Sequence, residues 1–286
     1  MNVRIKIKGS SWFKRYRLQF IIGVVAILAL AYLGEPQLQT QAQDPEKPIS
    51  VLFIGNSYTI WDWNLPLTLS RMATTATPPM TIKTGQSVVP GTKLDFHWNN
   101  GDAVNKIRQA GWDFVVLQEW SKGPVEELQQ MREFARKFDA EIKKSGAQTV
   151  FFMTWGRQHL PEMIEDIAKA YNDIGTELKA TVAPVGRAWQ RSIKERPGIL
   201  LHKPDKSHPS AHGVYLSACV FYTVLTGKPP LGLSNGGLTQ VSEVDARFLQ
   251  EIALETVKEY NPKVLAAVSL KDKLPMTWGE VKVYQK

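Results

Sequence analysis

The stretch ISVLFIGNSYT at residues 49–59 decides the fold of this chain and indicates its chemistry. Residues 49–54 form a short, mostly apolar run of the length that a buried strand in a parallel sheet requires. Gly55, Asn56 and Ser57 then favour a turn, because all three residue types adopt turn conformations easily. The stretch therefore predicts a buried strand whose carboxyl end presents a serine hydroxyl.

Four more short apolar segments follow, and stretches of helical periodicity separate them. Strands separated by helices need crossover connections, which make the strands parallel and put helices on both faces of the sheet. The sequence therefore predicts an α/β fold, a three-layer α/β/α sandwich around a central, mainly parallel five-stranded sheet. We expect these strands at 49–54, 80–84, 113–118, 148–155 and 181–186.

Three long segments show the apolar periodicity of an amphipathic helix. The first helix is expected over residues 125–144, with Val125 on its buried face, and the second over residues 162–180. The third starts after Ser242, a favourable N-cap residue, and has Val244 on its apolar face.

The chain begins with a basic segment that an apolar segment follows. The net charge is +8, yet six of the cations lie in the first 17 residues, where no acid occurs. The apolar run from Phe20 to Leu33 then indicates a signal peptide or a membrane anchor. We expect residues 1–42 to be such a segment plus a linker, and residues 43–286 to be one domain. That domain would be secreted or periplasmic, or attached to a membrane through residues 18–34 and outside the cytoplasm.

The composition excludes several classes of function. Without its N-terminal segment the chain is nearly balanced in charge, so it lacks the basic surface of a nucleic-acid-binding protein. The single cysteine, Cys219, allows no intrachain disulfide and lies in an apolar stretch. No histidine pair has the helical spacing of a zinc site, and no glycine-rich phosphate or dinucleotide loop occurs. We therefore predict no metal and no cofactor.

Two distant segments supply the residue types of a serine nucleophile and its base. Ser57 follows the first strand, and Asp205 and His208 stand three positions apart in the segment 204–209. A serine hydroxyl needs a base to take its proton, and this base is usually a histidine held by a carboxylate. Residues three apart on a turn share a face, so one loop can present both. We predict acyl transfer with Ser57 as nucleophile, His208 as base and Asp205 as its orienting carboxylate.

The oxyanion that develops in such a reaction needs hydrogen-bond donors. The candidates are the backbone N–H groups of Ser57 and Gly91 and the side-chain amide of Gln118, which follows the third strand at the same rim. Each residue also has a structural explanation when taken singly: Ser57 as a turn former, Gln118 as a polar strand end, Glu119 as a hydrogen-bond acceptor. The combination favours the catalytic interpretation.

On these motifs the chain resembles the SGNH hydrolases, also called GDSL-like lipases and esterases, over residues 49–230. The resemblance rests on the Gly-Asn-Ser of residues 55–57 and on the Asp-x-x-His of residues 205–208. A glycine of the oxyanion hole belongs to the same pattern, with Gly91 as the best match and Gly85 as the second. The resemblance implies a flavodoxin-like three-layer fold and a serine esterase that hydrolyses ester bonds.

The third sequence block departs from the usual pattern of that superfamily. Most members have Gly-x-Asn-Asp there, whereas this chain has Leu-Gln-Glu-Trp at residues 117–120. Carbohydrate acetylesterases of the superfamily, with Gln-Gly-Glu in that place, are more similar. The resemblance therefore implies small acyl groups on carbohydrate as substrate, with Gln118 as an oxyanion donor. Substrate contacts are expected from Asn56, Glu119, Trp61 and Trp120, with Trp63, Trp98 and His97 near the cleft.

Two other functions fit the same scaffold and stay open. A catalytically silent carbohydrate-binding protein would keep the fold without the chemistry, since a fold does not determine a function. An acyltransferase would use Ser57, His208 and Asp205 in the same way but exclude water from the acyl-enzyme. The tryptophans likewise have an alternative explanation, since aromatic residues dominate protein cores. In every case the expected partner is a small molecule or a glycan ester.

Overall fold

The structure, a computed structural model, describes residues 47–109 and 111–262. The expected signal or anchor segment, residues 1–42, lies outside these described residues. Among the helices that the structure describes, none combines the length and the hydropathy that a membrane crossing requires.

Five parallel strands form the central sheet of the described chain, in the order β2-β1-β3-β4-β5. The predicted α/β fold with a five-stranded sheet is therefore confirmed, and the sheet is fully parallel. The chain leaves β1 toward one edge of the sheet and leaves β3 toward the other, so a crevice opens at their carboxyl ends. The strands are β1 (Ile49–Gly55), β2 (Ile82–Val88), β3 (Phe114–Leu117), β4 (Gln148–Phe152) and β5 (Thr181–Ala183).

Helices cover both faces of the sheet and complete the three layers. Along β1, Val51 and Phe53 point to one face, and Leu52 and Ile54 point to the other, as the period of two in a strand requires. The described helices are α1 (Leu65–Ala73), α2 (Leu94–Asn100), α3 (Asp102–Arg108), α4 (Gly123–Glu126), α5 (Leu128–Lys144), α6 (Met163–Leu178), α7 (Val185–Glu195), α8 (Ala211–Thr226) and α9 (Glu243–Tyr260). The core of the first face contains residues of α1, α7, α8 and α9, and that of the second face residues of α2, α3, α5 and α6.

Two helices differ from the predictions at their first turns. Helix α5 begins at Leu128, because Glu127 has a non-helical backbone and ends the separate short helix α4. Val125 consequently lies in α4 and is exposed, not buried. The N-cap of α9 is Ser242, as predicted, and its hydroxyl accepts a hydrogen bond from the Asp245 N–H. Val244 is exposed, because it lies on the solvent side of the first turn of α9.

The strand bounds also shift where local chemistry decides them. Strand β2 runs over 82–88 instead of 80–84, and Gly85 lies inside it against the ring of Trp112. A Cβ at that glycine would come within 2.3 Å of a ring carbon. Strand β5 ends at Ala183, because Pro184 lacks the N–H group that a ladder needs and caps α7, which periodicity did not predict.

Candidate active site

Ser57, His208 and Asp205 form one chain of hydrogen bonds at the carboxyl end of β1. Ser57 Oγ lies 2.9 Å from His208 Nε2, and His208 Nδ1 lies 2.6 Å from Asp205 Oδ2. Burial raises the pKa of Asp205, but hydrogen bonds from the Ser207 N–H and the His208 ring outweigh it and bring this pKa to about 2. The carboxylate is therefore ionised and can only accept, so Nδ1 carries the ring proton and Nε2 can accept the serine proton.

The turn after β1 presents Ser57 to the cleft. The Asn56 carbonyl accepts a hydrogen bond from the Thr59 N–H at 2.9 Å, and the Asn56 side-chain oxygen accepts one from the Tyr58 N–H at 3.2 Å. Within the described residues the Ser57 N–H has no hydrogen-bond acceptor. A substrate oxygen can therefore use it.

The loop that carries Asp205 and His208 is fixed at both of its ends. The Lys203 N–H donates to the His208 carbonyl at 2.8 Å, which closes the loop. Directly after it, Ser210 caps α8 by accepting a hydrogen bond from the Gly213 N–H at 3.2 Å. Helix α8 is buried along nearly its whole length, so the loop is anchored to the interior of the protein.

A column of aromatic rings supports this loop from behind. The ring of Tyr58 stacks on Trp155 with centroids 4.5 Å apart, and Trp155 stacks on Trp189 at 3.8 Å. Tyr58 and Trp155 also contact Ser207. The Ser207 hydroxyl lies 2.7 Å from the Tyr58 hydroxyl, and the Ser207 carbonyl accepts a hydrogen bond from the Trp155 indole N–H at 2.9 Å. Sequence reasoning missed this column, because its members lie on separate elements and no motif contains them.

Gly91 and Ser57 both line the cleft. The φ of Gly91, 75°, is in the left-handed region, which glycine adopts at little cost. The Asn56 side-chain amide donates to the Thr92 carbonyl at 2.8 Å and thus ties the Gly91 loop to the Ser57 turn. The Gly91 N–H has no acceptor within the described residues. The second candidate, Gly85, lies in β2 beneath Trp112 and outside the cleft wall.

Gln118 does not occupy the position of an oxyanion donor. It is 1% exposed, and both hydrogens of its amide are engaged, one by the Asn56 side-chain oxygen at 2.9 Å and one by the Glu119 carbonyl at 2.6 Å. Its amide oxygen accepts from the Asn56 N–H at 2.8 Å and from the Thr59 hydroxyl at 3.1 Å. The expected donor is instead the structural link between the ends of β1 and β3.

Glu119 and His97 are also placed behind the cleft wall, in contrast to the expectation for both. Glu119 is 3% exposed, and its carboxylate accepts from the Trp120 N–H at 2.6 Å and from the Leu94 N–H at 3.4 Å. Burial raises the pKa of Glu119 to about 7. The ring of His97 donates to the Gly55 carbonyl at 2.8 Å, and burial lowers its pKa. Both residues act as structural hydrogen-bond partners of the site.

Two of the four tryptophans that sequence analysis assigned to the cleft line it. Trp61 is half exposed, and its ring stacks on that of His208 at 4.4 Å with an interplanar angle of 16°. Trp120 also lines the cleft, with the Lys93 ammonium 5.3 Å from its ring centroid. The remaining two, Trp63 and Trp98, pack against the two cores instead, as the alternative explanation holds.

The cleft has a volume of about 500 Å³, and the residues that line it include Ser121 and Arg157, which no motif indicated. Arg157 follows β4 at the same rim of the sheet, which is the signal that could have found it. A neighbouring cavity of about 430 Å³, lined by Trp155, Trp189 and His202 among others, shares Arg157 with the cleft. Ser57, Asp205 and His208 line the cleft and not this neighbouring cavity.

Among the described residues, no cluster of three or more His, Cys, Asp or Glu side chains is arranged to hold a metal ion.

The strand order and the serine after β1 define the class: the chain has the fold of the SGNH hydrolases. A candidate SGNH hydrolase from Slackia heliotrinireducens matches with a TM-score of 0.53 and 23% identity, over 62% of this chain and 98% of that one. A DUF4886 family protein from Bacteroides uniformis matches with a TM-score of 0.60 and 15% identity, over 80% and 97%. A candidate GDSL-like lipase from Parabacteroides merdae matches with a TM-score of 0.51 and 13% identity, over 64% and 98%. No protein-family model matches the sequence, and a search of curated proteins finds no match either.

Proposed function

We propose that this chain is a serine esterase that cleaves ester bonds through Ser57, His208 and Asp205. The observation that carries the proposal is the continuous set of hydrogen bonds from the serine hydroxyl through the imidazole to the carboxylate, at 2.9 and 2.6 Å. This is the order in which a nucleophile, a base and an orienting carboxylate have to act. The SGNH fold supports the same class of reaction.

In the proposed reaction His208 Nε2 accepts the Ser57 proton while Oγ attacks the ester carbonyl carbon. The N–H groups of Ser57 and Gly91 then stabilise the negative charge on the carbonyl oxygen. The alcohol leaves with the proton that His208 returns, and the acyl group stays on Ser57. His208 next deprotonates a water molecule, which attacks the acyl-enzyme and releases the acid.

The proposed substrates are small acyl groups on carbohydrate. Support comes from Trp61 and Trp120, which line the same cleft as the reactive serine. Aromatic faces offer large apolar contact at low conformational cost, and sugar rings have matching apolar faces. The sequence pattern at residues 117–120 supports the same class of substrate.

We also propose that the esterase domain works outside the cytoplasm. The six cations and the apolar run of residues 1–42 support export by a signal peptide or anchoring through residues 18–34. Cell fractionation together with N-terminal sequencing of the mature protein tests this proposal. Cytoplasmic protein with an intact N-terminus would contradict both forms of it.

The experiment that tests the esterase proposal combines turnover with active-site labelling. The full-length protein in mild detergent is assayed on p-nitrophenyl acetate and on longer acyl chains, and then treated with a fluorophosphonate probe. We expect hydrolysis that favours short acyl groups, and probe attachment at Ser57. Ser57→Ala should abolish both, whereas Ser70→Ala should retain both, because Ser70 only donates to the Ile82 carbonyl, outside the cleft. Labelling or turnover that survives Ser57→Ala would overturn the assignment, and a chain that shows neither would be a silent binding protein.

A further inference from the structure

Arg157 is a charged side chain of the cleft wall without a role in the reaction described above. Arg157 is the single arginine or lysine among the described residues that line the cleft. The one carboxylate of that wall, Asp205, is occupied by His208. The cleft therefore contains a positive charge that no protein group in the wall neutralises.

The hydrogen bonds of Arg157 leave much of its guanidinium free. Its Nη2 donates to the Ser121 hydroxyl at 3.0 Å, and its Nε is buried without a partner in the described residues. No described Asp or Glu forms an ion pair with it. Arg132 also has an unpartnered buried Nε, but its Nη2 binds the Asp173 carboxylate at 2.8 Å. A buried donor of a charged group is costly to leave unsatisfied, so Arg157 stands out in this chain.

The backbone holds Arg157 in place relative to the catalytic loop. Its carbonyl accepts from the Leu160 N–H at 2.9 Å, which closes a turn directly after it. The next residue, Gln158, donates its N–H to the Lys206 carbonyl at 3.0 Å. Lys206 lies between Asp205 and His208, so the arginine and the base are fixed to one another by the main chain. A cation positioned in this way can bind an anion with little reorganisation.

We propose that Arg157 binds a carboxylate group of the substrate, so that the preferred substrates of this esterase are esters that also carry a carboxylate. The guanidinium presents planar N–H donors that match a carboxylate in geometry and in charge. A substrate carboxylate would supply the counter-ion that the cleft lacks. This inference rests on the proposed esterase function and narrows its substrate class.

Matched ester pairs test the inference by kinetics. One pair is 4-acetoxybenzoate and its methyl ester, with the charge on the alcohol side. The other pair is p-nitrophenyl hydrogen succinate and its methyl ester, with the charge on the acyl side. We expect the wild type to have the higher kcat/KM on the charged member of at least one pair. Arg157→Gln should reduce that charged-to-neutral ratio by roughly 10- to 100-fold, the range of a charge-assisted hydrogen bond.

Two further variants make this result specific. Arg157→Lys keeps the charge and should retain part of the preference. Arg187→Gln removes an arginine that Glu165 already binds at 2.6 Å outside the cleft, and it should leave the ratio unchanged. If Arg157→Gln slows the charged and the neutral ester equally, Arg157 acts on the oxyanion or on folding, and the inference is overturned.

A binding measurement separates this inference from the esterase proposal. Calorimetry with Ser57→Ala protein compares 4-acetoxybenzoate with its methyl ester, and p-nitrophenyl hydrogen succinate with its methyl ester, at low and high salt. We expect tighter binding of a charged member, weakened by salt as ion pairing requires, and lost when Arg157→Gln is added. Equal affinities within both pairs would overturn the inference even in an active esterase. Charge-selective binding to a chain that hydrolyses nothing would overturn the esterase proposal alone. If Arg157→Gln does not fold, the salt dependence of binding to the Ser57→Ala protein tests the inference without it.

Discussion

Two segments at the rim of the sheet differ in how their polar groups are used. Segment 205–208 and segment 118–119 were both predicted to act on the substrate. In the first, His208 lines the cleft and its Nε2 faces the serine hydroxyl. In the second segment, Gln118 and Glu119 are almost fully buried. Their side chains form hydrogen bonds with Asn56, with the Glu119 carbonyl and with the Trp120 N–H.

The difference shows that the chemical type of a side chain does not by itself decide its role. Gln118 could donate to an oxyanion, but four protein groups already engage its amide. The Ser57 N–H, by contrast, has no acceptor among the described residues and lies in the cleft wall. A buried amide with satisfied donors and acceptors stabilises the fold, and a donor without an acceptor at a cleft is free for a ligand.

The largest effect is expected from Asp205→Asn. Asparagine presents an amide that favours the wrong tautomer of the His208 ring, so Nε2 would carry the proton and could no longer accept one. We expect kcat on p-nitrophenyl acetate to fall by roughly 10³- to 10⁴-fold with little change in KM.

A second histidine–aspartate pair provides the control for that substitution. His212 Nε2 lies 3.4 Å from an Asp245 carboxylate oxygen, and neither residue lines the cleft. Asp245→Asn removes the same charge next to the same type of ring and should leave kcat unchanged. A comparable loss of kcat in both variants would show that Asp205 acts through general stability or net charge.

The second prediction concerns the pH dependence of stability in the buried segment. Burial raises the pKa of Glu119 from 4.5 in the unfolded chain to about 7 in the folded protein. The folded state therefore favours the protonated form of Glu119. Its stabilising contribution to the free energy of unfolding is fully present below pH 4.5 and is lost as the pH rises through 7. The loss amounts to about 3 kcal/mol, since each unit of pKa shift corresponds to about 1.4 kcal/mol.

Urea denaturation of the wild type and of Glu119→Gln between pH 4.5 and 8 measures this loss. His97 and His202 oppose it, because burial lowers their pKa values and their contribution grows as the pH rises through 6.5. Both proteins contain these histidines, so their effect cancels in the difference between the two free energies of unfolding. This difference, wild type minus Glu119→Gln, should decrease as the pH rises. The control is Glu165→Gln, because the hydrogen bonds from Arg187 bring the pKa of Glu165 to about 2, below this range. A difference that stays flat with pH would refute the assigned shift.

The third prediction is that Gln118→Leu acts on stability more than on chemistry. It leaves the Asn56 N–H and the Thr59 hydroxyl without partners in the interior, which costs about 1–3 kcal/mol in the free energy of unfolding. If Gln118 were the oxyanion donor, kcat would instead fall by roughly 10²- to 10³-fold with stability intact. Chemical denaturation and kcat measured on the same preparation distinguish the two roles.

Sequence patterns predicted the parts of this protein that depend on local chemistry. The alternation of strands and helices predicted the five-stranded sheet, and the strand-end rule placed the segments after β1 and β3 at one rim. The spacing of Asp205 and His208 predicted that one loop presents both. Burial was not predictable, because it depends on what packs over a residue. Gln118 and Glu119 were therefore assigned to the cleft, and Arg157 and the rings behind Ser207 were missed.

The smallest effect is expected from Tyr58→Phe, which tests the support of the catalytic loop. Phenylalanine keeps the stacking on Trp155 but removes the hydroxyl that lies 2.7 Å from Ser207 Oγ. The loss of one hydrogen bond should lower the free energy of unfolding by about 1 kcal/mol. Because that bond also fixes the residue next to His208, we expect a severalfold lower kcat with KM unchanged. Tyr260→Phe is the matched control, since its hydroxyl bonds Asn172 outside the cleft and its loss should reduce stability alone. An equal kcat in both variants would mean that the stacked rings, without the hydroxyl, suffice to position the base.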